Sequence, residues 1–139
     1  MTEKKYKIGY TTGVFDLFHI GHLNILRRAK EQCEYLIVGV TTDELCENYK
    51  NKKPVIPYED RRAIIEAIKY VDKVVPQNSM DKKAAWQEQK FDAMFVGSDW
   101  QGTDSWNEFE KQFKALGVDI VYLPRTEKIS SSMLREYKK

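Results

Sequence analysis

Residues 13–22 read Gly13-Val14-Phe15-Asp16-Leu17-Phe18-His19-Ile20-Gly21-His22. The run before them, residues 6–12, is apolar in tendency and has the length of a buried first strand, while residues 23–32 continue as a helix. Both histidines of the chain therefore stand where a strand hands over to a helix. In an α/β sheet that handover binds phosphates. Gly13 and Gly21 let the backbone approach an anion, the N–H groups of the first helical turn point at it, and the helix dipole favours negative charge. His19 and His22 are three apart, so one helical turn places them on the same face.

Three readings of the pair remain open on these residues. Both imidazoles are structural, or they bind zinc, or they donate hydrogen bonds to a phosphate as electrophilic catalysts. Zinc wants three or four ligands, and Cys33 and Cys46 offer no spacing that completes a set. The glycines and the strand-to-helix setting favour the electrophilic reading.

Outward from this stretch, strands and helices alternate. Tyr35-Leu36-Ile37-Val38-Gly39-Val40 is a continuous apolar run of the kind buried on both faces of a parallel sheet. Residues 48–53, carrying Lys50, Lys52 and Lys53, read as a mobile loop closed by Pro54 and Pro57. Helical spacing of Ala63, Ile64, Ala67 and Ile68 predicts a helix over 58–70, with Glu59 and Asp60 in its first turn. A short strand over 71–76, a helix over 80–89 and a strand over 93–97 follow. Phe109, Phe113 and Leu116 mark a helix over 106–116 that Gly117 stops. Residues 119–123 form the last strand, and Ser130 or Ser131 N-caps a final helix toward Tyr137. The expected fold is one α/β domain over residues 1–139: a doubly wound, mostly parallel, five-stranded sheet with helices on both faces. Ligands of such sheets sit at the carboxyl ends of the strands, where all the polar clusters of this chain fall.

Composition narrows the function classes. With 42% hydrophobic and 32% charged residues the chain reads as an ordinary soluble globular protein, long enough at 139 residues to bury its own core. Its 23 Lys and Arg against 21 Asp and Glu leave a formal charge of +2, too little for a global polyanion field, so no nucleic-acid partner is expected. No run of about 18 apolar residues spans a bilayer and no signal-peptide core follows the first residues, so neither membrane attachment nor export is expected, and a cytoplasmic location is. Cys33 and Cys46 are expected as free thiols.

His19-Ile20-Gly21-His22 resembles the HxGH signature of the nucleotidyltransferase superfamily, and residues 13–18 resemble its cytidylyltransferase branch. Arg125-Thr126-Glu127-Lys128-Ile129-Ser130-Ser131 resembles the RTEGIST motif of the same branch. The likeness covers nearly the whole chain and is greatest to the bacterial enzymes that act on glycerol phosphate. It implies a Rossmann-like nucleotidyltransferase fold, a homodimer, and transfer of a cytidylyl group from CTP to a small phosphorylated alcohol. Glycerol 3-phosphate is the expected acceptor, with a product destined for teichoic acid or capsule polymers. Phosphocholine, phosphoethanolamine or another phosphopolyol as acceptor, an adenylyltransferase, and a nucleotide-binding regulator without turnover are the alternatives. Mg²⁺ is implied through the CTP phosphates, with no protein ligand assigned.

The same resemblance implies roles for individual residues. His19, His22, Lys52 and Arg125 are the catalytic candidates. The nucleotide side would also take Gly13, Val14, Phe15, Asp16, Gly97, Asp99, Trp100, Thr126, Ile129, Ser130, Ser131 and Ser132. The acceptor side would take Asp43, Lys50, Lys52, Arg61 and Lys83. Two positions depart from the family pattern. Val14 stands where the glycerol-phosphate enzymes often have Thr, and Lys128 replaces the glycine of RTEGIST, which implies a changed loop path or an added cation.

Overall fold

The structure, a computed structural model, describes residues 4–124. Arg125, Thr126, Lys128, Ile129, Ser130, Ser131, Ser132 and the final helix expected there lie outside the described residues. Five strands, β1 (Tyr6–Gly13), β2 (Cys33–Thr41), β3 (Lys73–Gln77), β4 (Ala93–Gly97) and β5 (Asp119–Leu123), form one sheet in the order β3-β2-β1-β4-β5. Every neighbouring pair is parallel, so the sheet is wholly rather than mostly parallel. The chain winds outward from β1 to β3, then returns past β1 to β4. That reversal puts a crevice between the carboxyl ends of β1 and β4, where open sheets of this kind take ligands.

Among the described residues five α-helices flank the sheet: α1 (Ile20–Gln32), α2 (Asp43–Lys50), α3 (Tyr58–Glu66), α4 (Lys82–Gln89) and α5 (Asp104–Ala115). Leu26 and Ala29 of α1 and Ile65 of α3 join Leu36, Val38, Val40 and Phe95 in the core of one face. Trp106 and Phe113 of α5, with Ala85 and Trp86 of α4, close the other face over Tyr10, Ile37, Phe91 and Met94. Gly9 makes the first core possible. A Cβ there would come within 2.5 Å of the Phe95 ring and 2.7 Å of Cys33 Sγ, closer than packed atoms approach. Both cysteines are buried free thiols, as expected.

Several expectations need correction. Residues 48–50, expected in a mobile loop over 48–53, are the last turn of helix α2: Thr42 caps it by accepting from Leu45 N–H, Asp43 and Glu44 favour its positive end, and Asn51 at φ 56° stops it. α3 ends at Glu66 rather than at residue 70, and its buried positions are Arg61 and Ile65, four apart, while Ile64 is 41% exposed. In α5 Trp106 takes the buried place that periodicity assigned to Leu116.

Candidate active site

The loop from Gly13 to the start of α1 is wound tightly. Phe15 and Leu17 both adopt left-handed backbone, at φ 54° and 51°, which costs about 1–3 kcal/mol at each non-glycine residue and persists only where surroundings enforce it. One such constraint is Phe15 itself, buried, with its ring folded back over Gly13 where a Cβ would meet it at 3.0 Å.

His19 is the N-cap of α1, and the two imidazoles build a reciprocal capping box. His19 Nδ1 accepts from Gly21 N–H at 3.0 Å, and His22 Nδ1 accepts from His19 N–H at 3.3 Å. This revises the expectation that the first-turn amides face the anion directly, because the amides of His19 and Gly21 are spent on the rings. An Nδ1 that accepts leaves the proton of a neutral imidazole on Nε2, so each ring is preset as an Nε2–H donor. The rings stack with centroids 3.9 Å apart, and Phe15 and Phe18 pack on His22 at 5.4 and 5.3 Å. Burial first, and then the neighbouring His19, push the His22 pKa down to about 4, against a smaller upward pull from Asp16. At neutral pH His22 is therefore an uncharged donor.

Asp16, expected as a nucleotide contact, is 2% exposed and faces the protein. Its two carboxylate oxygens accept from Val55 N–H at 2.8 Å and Ile56 N–H at 2.9 Å. Arg61, expected as an acceptor contact, is 1% exposed and makes four hydrogen bonds within the protein. It donates to Ile56 O, Val14 O and Thr41 O at 2.7–2.8 Å and pairs with Asp43 Oδ1 at 2.6 Å. Asp43 Oδ2 in turn accepts from Tyr58 N–H, so both of these acceptor-side candidates serve the scaffold in this structure.

Lys50, Lys52 and Lys53 are exposed at the end of α2 and just beyond it. Lys83 is exposed on α4, whereas its neighbour Lys82 turns inward, a residue the sequence reading passed over. Lys82 Nζ lies 5.0 Å from the Trp106 ring and 4.8 Å from Phe109, and burial lowers its pKa. It lines a small cavity with Tyr10, Thr12, Gln77, Ser79, Asp81 and Met94, beside the carboxyl ends of β1 and β3. Thr12 directly precedes Gly13, so the cavity adjoins the histidine loop. Across the crevice, Gly97 ends β4, and Asp99 and Trp100 form an exposed 3-10 turn, Trp100 being 52% exposed and 6.5 Å from Trp106. Val14, partly buried, lends its carbonyl to Arg61.

Among the described residues no cluster of three His, Cys, Asp or Glu side chains could hold a metal. A parallel sheet whose switch-point crevice opens beside two Nε2–H donors and several lysines is equipped for phosphate transfer chemistry. Comparison with known proteins narrows the class. The cytidylyltransferase-like family model matches residues 10–137, and the chain belongs to that family of nucleotidyltransferases. It is 40% identical over 127 residues to the glycerol-3-phosphate cytidylyltransferase of Bacillus subtilis strain 168, covering 91% of this chain and 92% of that one. To the enzyme of the same name from Staphylococcus aureus it is 41% identical over 128 residues, covering 91% and 90%. The FAD synthase of Archaeoglobus fulgidus is 38% identical over 111 residues, 79% of either chain. Among solved structures, a lipopolysaccharide core biosynthesis protein from Thermoplasma volcanium superposes with a TM-score of 0.73 at 27% identity, over 89% of this chain and 99% of that one.

Proposed function

We propose that the protein joins CTP and sn-glycerol 3-phosphate into CDP-glycerol and pyrophosphate. The observation that carries this reading is the 40–41% identity, over nine-tenths of the chain, to two enzymes named for that reaction. In the reaction an oxygen of the glycerol phosphate attacks the α-phosphorus of CTP in line. The bond from that phosphorus to the bridging oxygen breaks, and its electron pair leaves on pyrophosphate. Charge builds on the α-phosphate oxygens and the bridging oxygen. His19 and His22 offer Nε2–H donors to those positions, that of His22 uncharged, and donors fixed before the reaction need no reorganisation as charge develops. Arg125 and the hydroxyls of Thr126, Ser130, Ser131 and Ser132, with Ile129 among them, take the triphosphate by family resemblance. Mg²⁺ enters as part of the CTP substrate and lowers its charge repulsion toward a second phosphate.

The acceptor lies between Lys52 and the Lys82 cavity. Gln77, Ser79 and Thr12 supply hydrogen-bonding groups for glycerol hydroxyls there, and Lys82 supplies a cation for the phosphate. Lys50 and Lys53 extend the positive edge, and Asp99 and Trp100 face the nucleoside. We place the enzyme in the cytoplasm as a homodimer whose product feeds wall or capsule polymers. One observation favours a second reading: the FAD synthase relative is nearly as similar, so ATP is the rival nucleotide.

Pyrophosphate release decides between them. CTP or ATP with Mg²⁺ would be offered glycerol 3-phosphate, phosphocholine, phosphoethanolamine and riboflavin 5′-phosphate. The expected result is turnover with CTP and glycerol 3-phosphate, with kcat/KM at least about 10²-fold above the phosphocholine value, a difference of about 2.7 kcal/mol in transition-state binding. Preference for ATP overturns the reading.

A further inference from the structure

We infer that Asp16, Arg61 and Asp43 form a clamp that aims the lysine-bearing segment 51–57 at the histidine loop, acting as positioning residues without touching substrate. Ile56 is held from two directions. Asp16 accepts the amides of Val55 and Ile56, and Arg61 donates to the carbonyl of the same Ile56. The other guanidinium bonds reach Val14 in the histidine loop and Thr41 at the end of β2. Asp43, at the first turn of α2, completes the guanidinium's set and also accepts from Tyr58 N–H.

The downstream end of the segment is thus tied to one hub, and Asp43 ties the start of the preceding helix α2 to the same hub. The segment's upstream end leaves α2 through left-handed Asn51, Pro54 is buried, and Lys52 and Lys53 between them are exposed. Lys52 stands three residues before Val55, so no more than about 10 Å of chain separates its Cα from the amide that Asp16 holds. The clamp also acts in the opposite direction. Asp16 lies between Phe15 and Leu17, the two left-handed residues of the loop, and its anchored carboxylate is one of the contacts that enforce their conformation. The loop that carries His19 and the segment that carries Lys52 therefore move as one unit.

This inference rests on the acceptor reading only in its kinetic arm. The first arm needs no substrate: amide hydrogen exchange in the free protein, Asp16→Asn against wild type. An asparagine side chain has one accepting oxygen where the carboxylate has two, so Val55 or Ile56 should exchange at least about tenfold faster. Leu36 and Ile37 in the sheet should keep their protection. Unchanged exchange at both clamped amides contradicts the clamp, as does a uniform rise across the sheet.

The kinetic arm uses Asp43→Asn, which keeps the shape and removes the charge opposite Arg61. Misplacement of about 1 Å can cost 10²-fold, so kcat/KM for glycerol 3-phosphate should fall about tenfold or more while CTP affinity by calorimetry stays within about threefold. Lys52→Ala should then cost less in the Asp43→Asn background than in wild type. An equal Lys52→Ala penalty in both backgrounds overturns the inference. So does a raised Mg²⁺ requirement in Asp16→Asn, which makes that carboxylate a metal ligand. If wild type does not use glycerol 3-phosphate at all, the acceptor reading fails and the exchange arm still decides the clamp.

Discussion

Arg61 is buried and Lys82 half-buried beside the same rim, one on α3 and the other on α4 on the opposite face of the sheet. Their surroundings differ in kind. The guanidinium is engaged by three backbone carbonyls and the Asp43 carboxylate. The ammonium has aromatic faces for company, and among the described residues no protein acceptor lies within hydrogen-bonding distance. Arg suits the first task because its rigid fork serves several acceptors at once, while a compact lysine keeps three rotatable donors for a ligand. The pair shows that burial separates structural from binding cations only when the acceptors are counted too.

Removing each cation sharpens that contrast. Arg61→Ala leaves Asp43 and several carbonyls without their partner, a loss of about 3–5 kcal/mol in denaturant unfolding for a broken buried pair. Lys82→Met removes a desolvated charge and should keep or raise the unfolding midpoint, while kcat/KM for the acceptor falls about 10²-fold. If Arg61→Ala unfolds at the wild-type midpoint, or Lys82→Met spares acceptor kinetics, the contrast breaks. Gly9→Ala forces a methyl group against Phe95 and Cys33 and should cost about 1–3 kcal/mol without changing KM, placing it with Arg61.

A smaller effect concerns pH. The His22 pKa is about 4 in the folded protein against an ordinary 6.5, so the unfolded chain takes up a proton first as pH falls. Stability contributed by the neutral ring is complete above about 6.5 and declines as pH falls toward about 4. In His22→Gln that slope should be shallower; an unchanged slope would mean that the ring is not held neutral. Smallest of all, Lys83→Ala should alter acceptor kcat/KM less than about twofold, because that lysine points to solvent one position from Lys82.

Much of this was legible in the chain. β4 and β5 match the expected 93–97 and 119–123: β4 is a short apolar run closed by Gly97, and β5 a short apolar run between Gly117 and Pro124. The handover from β1 to the histidine helix was legible too, since glycine and histidine types mark it locally. What escaped depended on distant partners. α2 has a single buried residue, Cys46, so no apolar stripe announced it. Asp16 was expected on the nucleotide, yet it bonds amides about 40 positions away. Arg61 was expected on the acceptor, and only the packing of α3 buries it. Lys82 and Lys83 are adjacent lysines on one helix; which faces the cavity is set by Trp106 and Phe109, more than 20 residues on.

The most direct test of the central claim, that two preset imidazole donors at the start of α1 drive cytidylyl transfer, is single-turnover conversion of CTP and glycerol 3-phosphate by His19→Ala and His22→Ala. The account predicts native circular dichroism and a fall of about 10²–10³ in rate for each variant, the usual loss for one positioned donor. A folded variant that turns over at the wild-type rate would show that its histidine caps the helix and does nothing more.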